Sequence, residues 1–87
     1  MEIDEKHSNI KVQAALVLAL FGKDPSVIAT LEDAYVNADY NMKIQILEAI
    51  GHIGSKKSIK FLINTLDEPY QNLRVVSASS MIRCLNS

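Results

Sequence analysis

The chain has a single cysteine among 87 residues, Cys84, so an internal disulfide is impossible. A disulfide-framed secreted scaffold is thereby excluded. It also lacks an excess of charge: nine Lys and Arg stand against ten Asp and Glu, for a net charge of −1. That balance argues against a basic nucleic-acid groove or a polybasic membrane patch. Long apolar runs are missing as well. Ala14 to Phe21 is the longest, far short of the ~20 residues a bilayer span needs. No stretch alternates apolar and polar residues at period two for long enough to make a strand. The first residues, Met1-Glu2-Ile3-Asp4-Glu5, are acidic, which a secretory signal does not tolerate. The expected location is the reducing cytoplasm, and no membrane or nucleic-acid partner is expected.

Apolar residues recur instead at helical spacing, interrupted by turn chemistry. Gly22-Lys23-Asp24-Pro25 follows the first run: Gly22 suits a left-handed helix end, Asp24 an N-cap and Pro25 a first helical position. Val27, Ile28, Leu31, Ala34 and Tyr35 then mark one face of a helix, and Asp39 is the next candidate cap. Met42, Ile46, Ala49, Ile50 and Ile53 repeat the spacing before Gly54, and Ser55 caps a helix with Ile59, Leu62, Ile63 and Leu66 on one face. After Asp67-Glu68-Pro69, a last face runs through Leu73, Val76, Ser77, Ser80, Met81 and Cys84. Ile3, one heptad before Ile10, extends the first helix backwards. The pattern predicts five helices with short antiparallel connections.

The segments repeat. Ile10 to Gly22 aligns with Met42 to Gly54 at a shift of 32 residues, matching Lys11 to Lys43, Gln13 to Gln45 and Gly22 to Gly54. Leu73 to Leu85 continues the series at a shift of 31, and Ile28, Leu31 and Tyr35 align at 31 with Ile59, Leu62 and Leu66. Copies therefore span about 8–39, 40–68 and an incomplete 69–87. A helix pair cannot bury its apolar faces alone, so each copy completes its core against the next. Small residues at Ala14, Ala15, Ala19, Ala49 and Gly51 are expected to let helix axes approach, and a buried charge such as Ile50→Asp is expected to be ruinous.

Lys43, Ala49-Ile50-Gly51, Ile53-Gly54-Ser55, Leu62, Leu66 and Asp67-Glu68-Pro69 before Leu73-Arg74 resemble the HEAT repeat, in particular the short form first associated with phycobilisome lyases. Ser55 stands where that pattern has Asp, and Ala19 and Ile82 stand where it has a mid-helix Gly. The resemblance covers about residues 8–87. It implies an all-α, short right-handed α-solenoid of about five antiparallel helices, two and a half helix pairs. It further implies a non-catalytic scaffold that binds another protein on a concave face lined by the second helices. A chromophore lyase subunit or accessory enzyme is the alternative that the resemblance carries. On the second helices Ala29, Thr30, Asp33, Lys60 and Asn64 are not claimed by the core, which makes Thr30, Asp33, Lys60 and Asn64 the candidate protein-binding residues. Ser77, Ser79, Ser80 and Arg83 read as a polar cap on the last helix; the competing readings are a chain cut from a longer solenoid, or self-association in which a second copy covers the open C-terminal helix.

Chemistry-bearing residues are few. Glu48 and His52 have the i, i+4 spacing of metal ligands but no third ligand beside them, and the His-Glu dipeptides of HEAT-like iron hydroxylases are absent. Cys84 has Arg83 beside it, which would lower its pKa, but no catalytic partner nearby in sequence, so it reads as a partly buried structural thiol. His7 reads as solvated. Lys56, Lys57 and Lys60 form a small basic cluster that reads as a solvated exposed face or, alternatively, as a site for a phosphate or an acidic peptide, with no interleaved aromatics to stack bases. Lys11, Lys43 and Arg74 are expected to form a ladder with Asp39 or Asp67. No catalytic residue, metal or cofactor is expected.

Overall fold

Side-chain oxygens set the helix starts. Asp24 accepts a hydrogen bond from the Ser26 amide at 2.9 Å, Asp39 from the Met42 amide at 2.8 Å, and Ser55 from the Lys57 amide at 3.2 Å. Each satisfies an amide that the first helical turn leaves unpaired. The structure, a computed structural model, describes residues 2–86, with the side chains of residues 10–86. Five α-helices follow one another: α1 (Glu2–Gly22), α2 (Ile28–Val36), α3 (Tyr40–Ile53), α4 (Ile59–Thr65) and α5 (Gln71–Leu85). Helix α1 thus runs back past Ile3. Helices α2 and α4 are each preceded by one 3₁₀ turn, Pro25–Val27 and Lys56–Ser58, a feature that periodicity does not reveal. No strand occurs among the described residues.

Helices α1, α3 and α5 pack side by side as one layer, with α2 against α1 and α3 and α4 against α5. The result is a slab of 38 × 30 × 17 Å, two helices thick. Its interior is continuous: Ala15, Leu16 and Ala19 of α1, Leu31 and Tyr35 of α2, Ile46, Leu47, Ala49 and Ile50 of α3, Leu62 of α4, and Leu73 and Cys84 of α5. Most of the apolar faces expected from spacing are therefore the buried ones. Two expectations fail. Ile63 is exposed, and Ala14 faces solvent instead of a neighbouring helix.

The register of α1 also differs from expectation. Gly22 remains helical, and the left-handed residue is Lys23, with φ 49°. Its counterpart is Gly54, with φ 71°. With Asp24 over Ser55 and Pro25–Val27 over Lys56–Ser58, the repeat is 31 residues throughout. Lys11 thus falls one position away from the Lys43 and Arg74 register. At this shift Ala15, Leu16 and Ala19 coincide with Ile46, Leu47 and Ile50, all buried, while Ala14 and Val17 coincide with Gln45 and Glu48, all exposed.

The expected polar cap on α5 is half wrong. Ser79 and Arg83 are exposed, but Ser77 and Ser80 are buried. Ser77 Oγ lies 2.7 Å from the Leu73 carbonyl and 2.7 Å from Thr65 Oγ1, which lies 2.8 Å from the Leu62 carbonyl. Two hydroxyl protons serve these three contacts. Ser80 Oγ donates across the layer to the Leu47 carbonyl at 2.7 Å. A short hydroxyl side chain satisfied by nearby carbonyls can sit in a core at little cost.

Candidate functional site

Helices α2 and α4 turn their apolar faces inward and leave a register-matched face outside. Ala29 and Asp33 of α2 are exposed, as are Lys60 and Asn64 of α4, which occupy the same two register positions 31 residues on. Thr30 is half-buried at the edge of this face, since it shares its position with the half-buried Phe61. The two helices are joined by the Tyr35 and Phe61 rings, whose centroids lie 5.3 Å apart edge to face. The face is electrically divided. Glu32 and Asp33 lie on α2, and burial first, then the Asp33 charge, pushes the Glu32 carboxyl above its ordinary range. Lys56, Lys57 and Lys60 are exposed at the other end, on the turn leading into α4 and on α4 itself.

A polar clamp behind the face fixes the spacing of its helices. Tyr35 of α2 donates its hydroxyl proton to Glu68, which follows α4, and Lys43 of α3 reaches the same carboxylate oxygen at 3.2 Å. The Lys43 ammonium also lies 5.0 Å from the centre of the Tyr35 ring. Arg74 of α5 donates to the carbonyls of Glu68 at 3.0 Å and Pro69 at 3.2 Å. The expected partners of Lys43 and Arg74, Asp39 and Asp67, are thus replaced by Glu68 and the backbone around it. The Tyr35 hydrogen bond, then Lys43, holds the Glu68 carboxyl below its ordinary range against the opposing effect of burial. Burial and the Glu68 carboxylate push the Tyr35 phenol far up, so it stays a proton donor.

The other chemistry-bearing residues do not converge. Glu48 is exposed and His52 half-buried on the outer side of α3. Among the described residues, no three His, Cys, Asp or Glu side chains gather as metal ligands would. Cys84 is fully buried, more so than the partly buried structural thiol expected of it, and desolvation pushes its thiol up, so Arg83 beside it in sequence does not lower it. The His7 side chain lies outside the described ones.

One surface was not legible in the sequence. The Tyr40 and Tyr70 rings meet at 5.6 Å, and Asn72 Nδ2 donates to the Tyr40 hydroxyl at 2.8 Å. With Ile44, Gln45 and Val75 they line a shallow groove between the starts of α3 and α5. The available signal was that Tyr70 occupies the capping position held by Asp39 one copy earlier, where a tyrosine gives no side-chain cap.

No described helix is long and apolar enough to cross a membrane. The family model for HEAT repeats matches residues 2–82. No curated protein and no solved structure matches the chain. The family match covers nearly the whole chain and agrees with stacked helix pairs at a constant period: the chain belongs to the HEAT-repeat family.

Proposed function

We propose that this HEAT-repeat chain is a non-catalytic, cytoplasmic scaffold that docks another protein on the outer faces of α2 and α4, with Thr30, Asp33, Lys60 and Asn64 as contacts. The observation that carries the reading is the register match: both second helices leave the same two positions exposed, and the Tyr35–Phe61 contact and the Glu68 clamp hold those helices together. Such a rigid face costs little ordering entropy on binding. Its divided charge favours a partner presenting a basic group toward Glu32 and Asp33 and an acidic group toward Lys56, Lys57 and Lys60. Burial of Cys84 and its raised thiol pKa support the non-catalytic reading, because a nucleophilic thiolate needs exposure and a lowered pKa.

The test is affinity capture with the full chain, comparing wild type with Asp33→Lys/Lys60→Glu and with a control on the outer side of α3, Glu48→Lys. The partner recovered by wild type and control is expected to fall at least tenfold with the double variant, while circular dichroism stays unchanged. An unchanged recovery with the double variant would move the docking face elsewhere.

A further inference from the structure

Helix α1 departs from the other two first helices on its outer side. In the 31-residue register Ile10, Ala14, Val17 and Phe21 stand where α3 carries Asn41, Gln45, Glu48 and His52, and where α5 carries Asn72, Val76, Ser79 and Arg83. All four α1 side chains are exposed, Ile10 by 69% and Phe21 by 86%. Leu18 and Leu20 flank them, also exposed. Stacking a further helix pair on the end of the layer would not cover this stripe. Helix α3 already has a first helix on each side, and of its equivalent residues Asn41, Gln45 and Glu48 are still exposed and His52 is half-buried. The stripe therefore lies off the axis along which repeats add. A contiguous apolar patch with this i, i+4, i+7, i+11 spacing is the surface one helix presents to another.

The geometry points to a second copy of this chain as the occupant, with α1 packed antiparallel on α1 about a two-fold axis. The stripe is bulky at its ends and slimmer in the middle. Antiparallel pairing sets Ile10 against Phe21 of the second copy and Ala14 against its Val17, and symmetry makes each contact twice. Both outer layers are then equally thick. Parallel pairing would instead set Phe21 on Phe21 and Ala14 on Ala14, leaving one layer overfilled and another empty. Charge agrees with the antiparallel arrangement. Lys11 is the one charged residue between Ile10 and Gly22; it would run beside Leu18 of the second copy, stem on apolar surface and ammonium in water. Antiparallel helix dipoles also attract. The contact excludes on the order of 1,000 Å², the small end of specific interfaces, so the dimer is reversible and concentration-dependent.

Sedimentation velocity of the full chain over a wide concentration range tests the proposal. The dimer population is expected to rise with concentration. Val17→Glu and Phe21→Ser are expected to weaken dimerisation at least tenfold with unchanged circular dichroism, and Ile82→Glu, on the exposed end of α5, is expected to leave it intact. Orientation is read by oxidative cross-linking. Ala14→Cys is expected to link two copies, whereas Phe21→Cys is not, because two antiparallel positions 21 lie about 16 Å apart along the axis. A chain that stays monomeric at every concentration overturns the proposal. So does a dimer insensitive to Val17→Glu, one abolished by Ile82→Glu, or efficient linkage through Phe21→Cys.

Discussion

The two joints between first helices, α1 with α3 and α3 with α5, have the same position in the repeat and different chemistry. In the second joint every buried hydroxyl replaces an apolar residue of the first copy or first joint: Ser58 stands for Val27, Thr65 for Ala34, Ser77 for Ile46 and Ser80 for Ala49. The close approach differs too. Gly51 lies against Ser80, so near that an added Cβ would come within 2.8 Å of the Ser80 Cα, whereas the equivalent position in α1 is the partly exposed Leu20. Accordingly α3 and α5 share a more extensive contact than α1 and α3. Among the described residues, apolar contact alone holds the first joint. The second trades side-chain volume for proximity and fills the narrowed space with hydroxyls that reach carbonyls.

If that contrast is right, a single methyl group should separate the joints. Gly51→Ala sets a methyl group against the Ser80 Cα, which a side-chain rotamer cannot relieve, and is expected to destabilise by about 1–3 kcal/mol. Leu20→Ala, at the matching position of the first joint, removes a side chain that is already 43% exposed and is expected to cost less than about 1 kcal/mol. Thermal unfolding followed by circular dichroism measures both. Equal losses would mean that the two joints are packed alike and that the close approach at Gly51 carries no special weight.

The contrast also shows which features were legible in the sequence. Caps at Asp24, Asp39 and Ser55 were readable because each is a local matter of one side chain and an amide two or three residues on. The inward faces of α2, α3, α5 and, Ile63 apart, α4 were readable from spacing, and with them the exposure of Asp33, Lys60 and Asn64. The register of the first helix was misread because glycine is the usual left-handed residue. Here Asp24, whose amide bonds back to the Leu18 carbonyl at 3.3 Å, fixes the turn, so Lys23 takes the positive φ. For Ser77 and Ser80 the spacing points to the inward face of α5 and the polarity to a surface cap, and nothing in the sequence decides between them, because polarity says nothing of the Leu73 and Leu47 carbonyls within reach. The groove between Tyr40 and Tyr70 depends on how α3 and α5 start relative to one another, a tertiary matter.

Not every hydroxyl of the second copy is satisfied, and this sharpens the comparison in the stabilising direction. Ser58 Oγ is buried without a hydrogen-bond partner where the first copy has Val27. An unpaired buried hydroxyl forfeits its hydration and gains nothing in return. Ser58→Ala is therefore expected to raise stability by about 1 kcal/mol, a Tm increase of roughly 4–8 °C for a domain of this size. A lowered Tm would show that Ser58 belongs to the satisfied set with Thr65, Ser77 and Ser80.

The smallest expected effect concerns Glu68, whose first-copy counterpart is Asn37. Only at Glu68 is there a carboxylate to gather Tyr35, Lys43 and, through the backbone, Arg74 into one clamp. Its carboxyl is held below its ordinary value in the folded chain, so the unfolded chain binds the proton more readily. The clamp's contribution is thus fully present above the unfolded-state value of about 4.3 and fades as pH falls through the lower folded-state value. Glu68→Gln keeps the shape and an acceptor for the Tyr35 proton but removes the charge, and is expected to cost less than about 1 kcal/mol near neutral pH. The gap in Tm between wild type and variant should then close as the solution is taken below about pH 4. Parallel Tm curves across that range would mean that Glu68 positions Tyr35 by shape alone, and that the second copy differs from the first in packing and not in charge.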